Sequence, residues 1–368
     1  MEKNNVESEL HNIKIEFIEF YVGTAKAVVY WHVKAMGFKV IAYCGPETGN
    51  AEKVSYLIVK DDIKLIITSA INPIAHHILS YVNLHGDAIK RIGIKVDDIT
   101  DYFNKSISKG GIPIEGPQML KDDKGIVEYA VLKLFDDNEI FLIDNSDYLG
   151  DLMPGYINVE SDWDNINEEN SEISEIDHIA CALRINEMFL WENYLNNILA
   201  SKTIEEYDER KTMDSDKKIG MYLKALQTQN KKINKVLVEA ELNKKNQVQL
   251  YITENYGSGI QHLAFKTNNI VKTVEILKKN GVKFNNYPDS YYFALQQKYP
   301  DMDIQDLKKY GILCDVAENS LLLQTFTSPI GDRPTFFYEF IQRINDYNGF
   351  GLNNIQALFE SLESEIMK

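Results

Sequence analysis

The chain is short of cysteine and of positive charge, has no long apolar run, and each shortage excludes something. Its three cysteines, Cys44, Cys181 and Cys314, are odd in number and far apart. That pattern is neither a disulfide framework nor a cysteine-based zinc site. It reads as buried, reduced thiols in a cytoplasmic protein. Lysine and arginine number 39 against 55 acidic residues, a formal net charge of -16. Nucleic acid and anionic membrane both call for a basic surface, so neither is expected as a partner. No apolar run approaches the roughly 20 residues that span a bilayer. The opening text MEKNNVESELHN is polar and mixed in charge, which is not the order of a secretory leader. What remains is ordinary: 44% apolar and 26% charged over 368 residues, enough for two domains with their own cores.

The expected elements repeat. Residues 13–22, IKIEFIEFYV, form a β-type run, and AKAVVYWHVKAMGF reads as a helix ending at a glycine. Strands follow at KVIAYCGP, KVSYLIVK and KLIITSAI. A second round runs strand AIKRIGIKV, helix DDITDYFNKSISKGG, then strands VEYAVLKLF and NEIFLIDN. Each round is βαβββ in outline. The text SDWDNINEENSEISEID is acidic and poor in apolar residues and reads as a linker. The pattern then restarts with strand IDHIA, helix MFLWENYLNNIL, strand GIQHLAFKT and helix NIVKTVEILKKNG. A strand pair over 321–340 closes the half, and Ile355, Leu358, Phe359, Leu362 and Ile366 predict a final amphipathic helix. The expected division is a first domain over 11–156, a linker over 157–175 and a second domain over 176–368.

The two halves also match in text. IEFIEFYV (15–22) lies over IDHIACAL (176–183), GDAIKRIGIKVDDI (86–99) over GSGIQHLAFKTNNI (257–270), and NEIFLID (138–144) more loosely over TFFYEF (335–340). Where the second half has His178, His262 and Glu339, the first has Phe17, Arg91 and Ile143. A buried, ionised carboxylate must be paired, protonated or metal-bound. Two imidazoles and a carboxylate on separate strands make the facial triad that suits non-haem Fe(II) and leaves positions open. Taken singly, each residue is more simply a satisfied core histidine or an ion-pair partner; their joint presence in one half only favours a metal site.

Other candidates are weaker. His76-His77 beside Pro73 reads as a solvated turn, and His11, His32 and His85 have no partners at ligand spacing. Gly257-Ser258-Gly259 precedes a strand and not a helix, so it is not a phosphate loop. Gln247, Gln261 and Gln324 read as amides in apolar strands, either sheet-edge groups or groups that orient a ligand.

DHIA, GIQHLAFKT, PDSYY, LLLQTFTSPIGDRPTFFYEFIQR and NGFG...ALFE, with VIAYCGPETGNAEKVSYLI in the first half, resemble the 4-hydroxyphenylpyruvate dioxygenase and hydroxymandelate synthase family in order and spacing. The resemblance spans nearly the whole chain. It implies an α+β vicinal-oxygen-chelate fold of the glyoxalase/bleomycin-resistance type, with paired βαβββ modules forming open β-barrels in two domains. It implies Fe(II) on His178, His262 and Glu339, and pocket glutamines at Gln247, Gln261 and Gln324. It further implies ring-packing aromatics at Phe326, Phe337 and Phe350, a C-terminal lid helix, and a dimer or tetramer. The implied reaction consumes dioxygen, oxidatively decarboxylates a 2-oxo acid and hydroxylates the same molecule.

The chain departs from that family where a hydroxylated ring would be held. Leu223 falls at a family serine and Val238 at the asparagine of a PINEP motif, while GFGLNNI, with Asn354 and Ile355, replaces GFGxGNF. Aliphatic groups there disfavour a hydroxyl by about 1–3 kcal/mol per unmet hydrogen bond. Val238 and Ile355 also resemble the hydroxymandelate synthases, which hydroxylate the benzylic carbon; Leu223 fits neither branch. Three substrate readings follow: a 4-hydroxyphenylpyruvate dioxygenase-like enzyme, a hydroxymandelate synthase-like enzyme, or a relative acting on a less polar acid such as phenylpyruvate or a branched aliphatic one. Outside these stand a binding module that sequesters a ligand without turnover and a hydrolytic zinc enzyme, which would need a general base beside the metal.

Overall fold

The computed structural model describes residues 12–160, 171–208, 221–241 and 246–354. The expected C-terminal helix with Ile355, the first eleven residues and most of the acidic stretch lie outside the described residues.

The first half runs β1 (Lys14–Tyr21), α1 (Ala25–Trp31), β2 (Lys39–Cys44), β3 (Lys53–Lys60), β4 (Ile63–Ala70), α2 (His76–His85), β5 (Ala88–Lys95), α3 (Ile99–Ser108), β6 (Pro113–Asp122), β7 (Gly125–Leu134), β8 (Asn138–Asp144) and β9 (Ile157–Asn158). The second runs β10 (Ile173–Leu183), α4 (Met188–Ile198), β11 (Ser201–Asp208), β12 (Met221–Thr228), β13 (Asn234–Ala240), α5 (Gln247–Glu254), β14 (Gly259–Thr267), α6 (Ile270–Lys279), α7 (Asp289–Lys298), α8 (Gln305–Tyr310), β15 (Leu313–Ala317), β16 (Ser320–Phe326) and β17 (Phe337–Ile344). The sheets order as β6-β7-β8-β5-β1-β4-β3-β2-β9 and β11-β12-β13-β10-β14-β17-β16-β15. Apart from β9, the second order is the first in reverse, element for element. Strand residues Ile157–Asn158 pair with β2 and Ile173 opens β10, so both ends of the acidic stretch join a sheet.

Local chemistry explains the elements. Asp98 caps α3 and Asn269 caps α6, each accepting a backbone N–H three residues on. The Ile270, Val274 and Leu277 face of α6 is buried while Lys272 and Lys279 point out. The helix expected over 25–38 forms as α1 followed by a π-turn, His32–Met36, and stops at Gly37, whose φ of 79° suits glycine.

Alternation along each strand separates two faces. One face, with Ile18, Phe38, Phe265 and Tyr338, joins the helices in a core shared by both sheets. Phe20 meets Phe336 edge-on at 5.1 Å across that boundary, and the Tyr102 hydroxyl donates to the Ile198 carbonyl at 2.8 Å. The other face of each sheet carries its own smaller cluster, Phe17 and Phe141 in one, Leu223 and Val238 in the other. Functional residues sit on that second face.

Three expectations need correction. His76-His77 opens helix α2 and is not a turn; Pro73 sits just upstream, where a proline does not interrupt a helix. Gln247 is the first residue of α5, not a strand amide, because Asn246 caps that helix through the Gln249 N–H. The first-half counterpart of Glu339 is Phe141 and not Ile143. In the parallel pairs, Ala264 faces Glu339 and Gly93 faces Phe141, while Ile143 faces Lys95. The loose text match had slipped by two residues, which preserves the face and so leaves no trace in the apolar pattern.

Candidate metal centre

His178 on β10, His262 on β14 and Glu339 on β17 come from adjacent strands and meet on the concave face. One ligand atom from each lies within 4.8 Å of the others, and among the described residues no other such group forms. Glu339 Oε2 is 3.1 Å from His178 Nε2 and 3.2 Å from His262 Nε2. All three side chains are largely withdrawn from water.

Strand bulges aim these residues. The β10–β14 register shifts between Ile176 and His178, leaving Asp177 as the extra residue. Asp177 therefore reaches sideways to its neighbour, its Oδ1 lying 2.9 Å from His178 Nδ1. A second shift between Ala180 and Cys181 leaves Gln261 extra on β14, so consecutive residues Gln261 and His262 both face the pocket. Sheet one carries shifts at the matching places, Ile15/Phe17 and Glu19/Phe20.

Beyond the ligands, Arg343 donates from Nε and Nη2 to the two Asp177 oxygens, both at 2.7 Å. Its Nη1 donates to the carbonyls of Tyr347 at 3.0 Å and Gly349 at 2.6 Å. One guanidinium thus fixes the carboxylate behind His178 and the turn that carries Phe350. Phe350 meets the His178 ring edge-on at 5.2 Å. His262 has no such tether: its Nδ1 is buried without a partner among the described residues, and the ring stacks on Phe337 at 4.8 Å.

The electrostatics match a cation site. Burial works to raise the Glu339 carboxyl, but His178 and then His262 outweigh it and hold it below its usual range. Burial alone would lower His178, yet Glu339 and Asp177 lift it to about 9. Burial lowers His262. Asp177 is held below its usual range: burial pushes it up, and the Arg343 and His178 contacts overcome that.

Most of the expected pocket residues meet here. Leu223, Val238, Gln247, Gln261, Gln324, Phe326, Phe337 and Phe350 line one cavity with the three ligands, joined by Met221, Val236, Val248 and Gly351. Leu223 and Val238 face each other directly across β12 and β13, an aliphatic floor. Asn354 is buried but outside that lining, its Oδ1 accepting from the Tyr291 hydroxyl at 3.0 Å. The cavity is about 70 Å³, room for about two waters. Gly351 has φ 74°, and a Cβ there would sit 2.2 Å from Gln324 Oε1. Gly351→Ala is accordingly expected to raise KM severalfold with metal content unchanged, as read by steady-state kinetics and metal analysis.

Sequence reasoning missed Arg343 and the orienting role of Asp177. Of the isolated histidines, His11 lies outside the described residues and the other two are structural. His32 bonds Val28 O and the Tyr338 hydroxyl at 2.8 and 2.7 Å, with burial lowering it to about 4. His85 bridges Asn255 O and Asp137.

The fold defines a vicinal-oxygen-chelate protein, and His178, His262 and Glu339 form a group that could hold a metal ion. The family model for the Glyoxalase/Bleomycin resistance protein/Dioxygenase superfamily matches residues 175–309. The 4-hydroxyphenylpyruvate dioxygenase of Yarrowia lipolytica is 33% identical over 365 residues, covering 96% of this chain and 92% of the relative. That of Xenopus tropicalis is 32% identical over 364 residues, covering 96% and 91%. A mutant 4-hydroxymandelate synthase from Streptomyces coelicolor superposes with a TM-score of 0.84 at 25% identity, over 96% of this chain and 98% of that one. The chain belongs to the 4-hydroxyphenylpyruvate dioxygenase family, and it is a dioxygenase.

Among the described residues no helix is long and apolar enough to cross a membrane.

Proposed function

We propose that His178, His262 and Glu339 hold Fe(II), and that the enzyme oxidatively decarboxylates and hydroxylates a 2-oxo acid, 4-hydroxyphenylpyruvate being the first choice. The observation that carries this is the convergence of two imidazole nitrogens and one carboxylate oxygen within 4.8 Å in a buried pocket. That donor set disfavours calcium, which takes oxygen ligands, and suits Fe(II) or zinc; the dioxygenase family is what favours Fe(II). Bound there, the metal supplies the Lewis-acid and redox chemistry toward dioxygen and the oxo acid.

The chain's own residues do the rest. Asp177 holds a proton on His178 Nδ1, so that Nε2 faces the ligand position. Gln261 and Gln324 place amides in the cavity, and Gln324 Oε1 is buried without a partner, which suits a substrate hydroxyl or a bound water. Gln247 extends the amide set from α5. Phe326, Phe337 and Phe350 offer ring faces and edges to an aryl group and keep water out. Asn354 supports the turn behind them.

The Leu223–Val238 floor favours a second reading: benzylic hydroxylation as in hydroxymandelate synthases, or a less polar 2-oxo acid such as phenylpyruvate. The test is oxygen uptake with Fe(II) and a panel of 2-oxo acids, followed by chromatography, because homogentisate and hydroxymandelate are isomers. Lack of uptake with every acid overturns the proposal. Installing polar groups separates the readings. Leu223→Ser with Val238→Asn is expected to shift kcat/KM by about 10-fold or more toward the ring-hydroxylated acid over phenylpyruvate.

A further inference from the structure

A cavity larger than the one at the candidate metal site lies in the other half of the chain. It is about 680 Å³ and opens on the concave face of the first sheet. It occupies the place, in strand order and register, that the metal centre occupies in the second. Phe17 stands where His178 does, Arg91 where His262 does, and Phe141 where Glu339 does. The Phe17 and Phe141 rings meet at 5.6 Å, and the Arg91 guanidinium lies 5.7 Å from the Phe141 centroid. Gly93 makes this arrangement fit, since a Cβ there would meet the Phe17 ring at 2.4 Å. What could have been a collapsed, plugged barrel is open.

Arg91 and Glu19 of its lining belong to a balanced charge cluster that continues behind it through Glu139 and Lys90. Arg91 donates from Nε to Glu139 at 2.5 Å and from Nη1 to Glu19 at 3.2 Å. Lys90, the bulge residue corresponding to Gln261, pairs with Glu139 at 2.9 Å. Two cations thus face two carboxylates, and the rim adds one of each sign, Lys53 and Glu52. Glu19 is anchored by the Thr68 hydroxyl at 2.8 Å, which in turn bonds Ser55. Only two of the five Arg91 N–H groups are used in these bonds, and the side chain lines the cavity.

A lone anion gains little here, because the two carboxylates on Arg91 repel it. At about 4 Å each such contact is worth roughly 4 kcal/mol at an effective dielectric constant near 20, cancelling the attraction. A lone cation meets the same cancellation from Arg91 and Lys90. A molecule carrying both charges a few ångströms apart meets complementary partners at each end. The walls, with Phe17, Phe141, Ile66, Leu120 and Met153, suit a planar apolar group. We propose that this cavity binds a free aromatic α-amino acid, with its carboxylate on the unused edge of Arg91 and Lys53, its ammonium on Glu19 and Glu52, and its ring against Phe17 and Phe141.

The test is calorimetric titration of the iron-loaded full chain with L-phenylalanine, L-tyrosine, phenylacetate, 2-phenylethylamine and L-alanine. One aromatic amino acid is expected to bind at a single site with Kd on the order of 10–500 µM. The anion-only, cation-only and ring-less compounds should bind at least ~10-fold more weakly. Arg91→Met strands the buried Glu19 carboxylate, while Glu139 keeps Lys90, and could unfold the chain, so the decisive variants are Leu120→Trp, which fills the cavity, and Lys53→Ala at its rim. Leu120→Trp should abolish the heat, and Lys53→Ala should weaken binding severalfold. Both should keep wild-type oxygen uptake with a 2-oxo acid, which shows that the fold and metal centre are intact. Absence of binding up to about 5 mM, equal binding of phenylacetate or phenylethylamine, or undiminished binding to Leu120→Trp each overturns the assignment.

Discussion

His262→Ala is expected to lose bound iron and turnover together. His262 Nε2 is one of two imidazole donors facing Glu339 Oε2, at 3.2 Å. Its loss leaves His178 and Glu339, 3.1 Å apart, as two donors where three met. A metal's charge stabilisation is worth several kcal/mol, so turnover should fall by at least about 10³-fold. The check is metal content by mass spectrometry beside oxygen uptake. Folding should survive, because Glu339 keeps His178 at 3.1 Å when the His262 contact is lost, and His262 Nδ1 has no partner to leave behind. Metal content retained at wild-type level would remove His262 from the ligand set. Lost metal with unchanged biological activity would instead favour a module that sequesters its ligand without turnover.

The triad was legible because each ligand is a polar residue interrupting an apolar strand, and because the other half supplies Phe17 and Arg91 as contrast. Long strands with buried faces, such as β1, β10 and β14, were legible for the same reason. Edge strands were not. β6, PIEGPQMLKD, is almost wholly solvent-facing and carries prolines that read as turns; β11, SKTIEEYD, is half-exposed and acidic. Edge strands bury too little to leave an apolar alternation, and their charges guard against pairing with other chains. The bulges were equally silent. Strict alternation puts Asp177 and His178 on opposite faces, as it does Gln261 and His262. One extra residue in each strand sets Asp177 beside His178 and turns both Gln261 and His262 toward the site, and nothing in the residue types announces it.

Arg343 is the clearest case of a residue only the folded chain reveals, 166 positions from its partner Asp177. Arg343→Met is expected to cost about 3–5 kcal/mol of stability, because it leaves the Asp177 carboxylate buried and unpaired. It should also weaken iron binding by about 10–100-fold, since Asp177 no longer holds His178 in one orientation. The two effects have separate causes and can be pulled apart. Asp177→Asn combined with Arg343→Met removes the stranded charge while an amide oxygen can still accept from His178 Nδ1. The double variant should therefore recover most of the thermal stability. It should not recover iron affinity in full: a neutral amide makes His178 a weaker donor, and the turn carrying Phe350 has lost the bonds from Arg343 to the Tyr347 and Gly349 carbonyls. Chemical denaturation and metal-competition titration of the wild type, both single variants and the double variant form a complete cycle. Additive losses of iron affinity from the two single changes would mean that Arg343 acts on the turn and not through Asp177. A strong interaction energy would place the guanidinium, the carboxylate and His178 in one positioning chain.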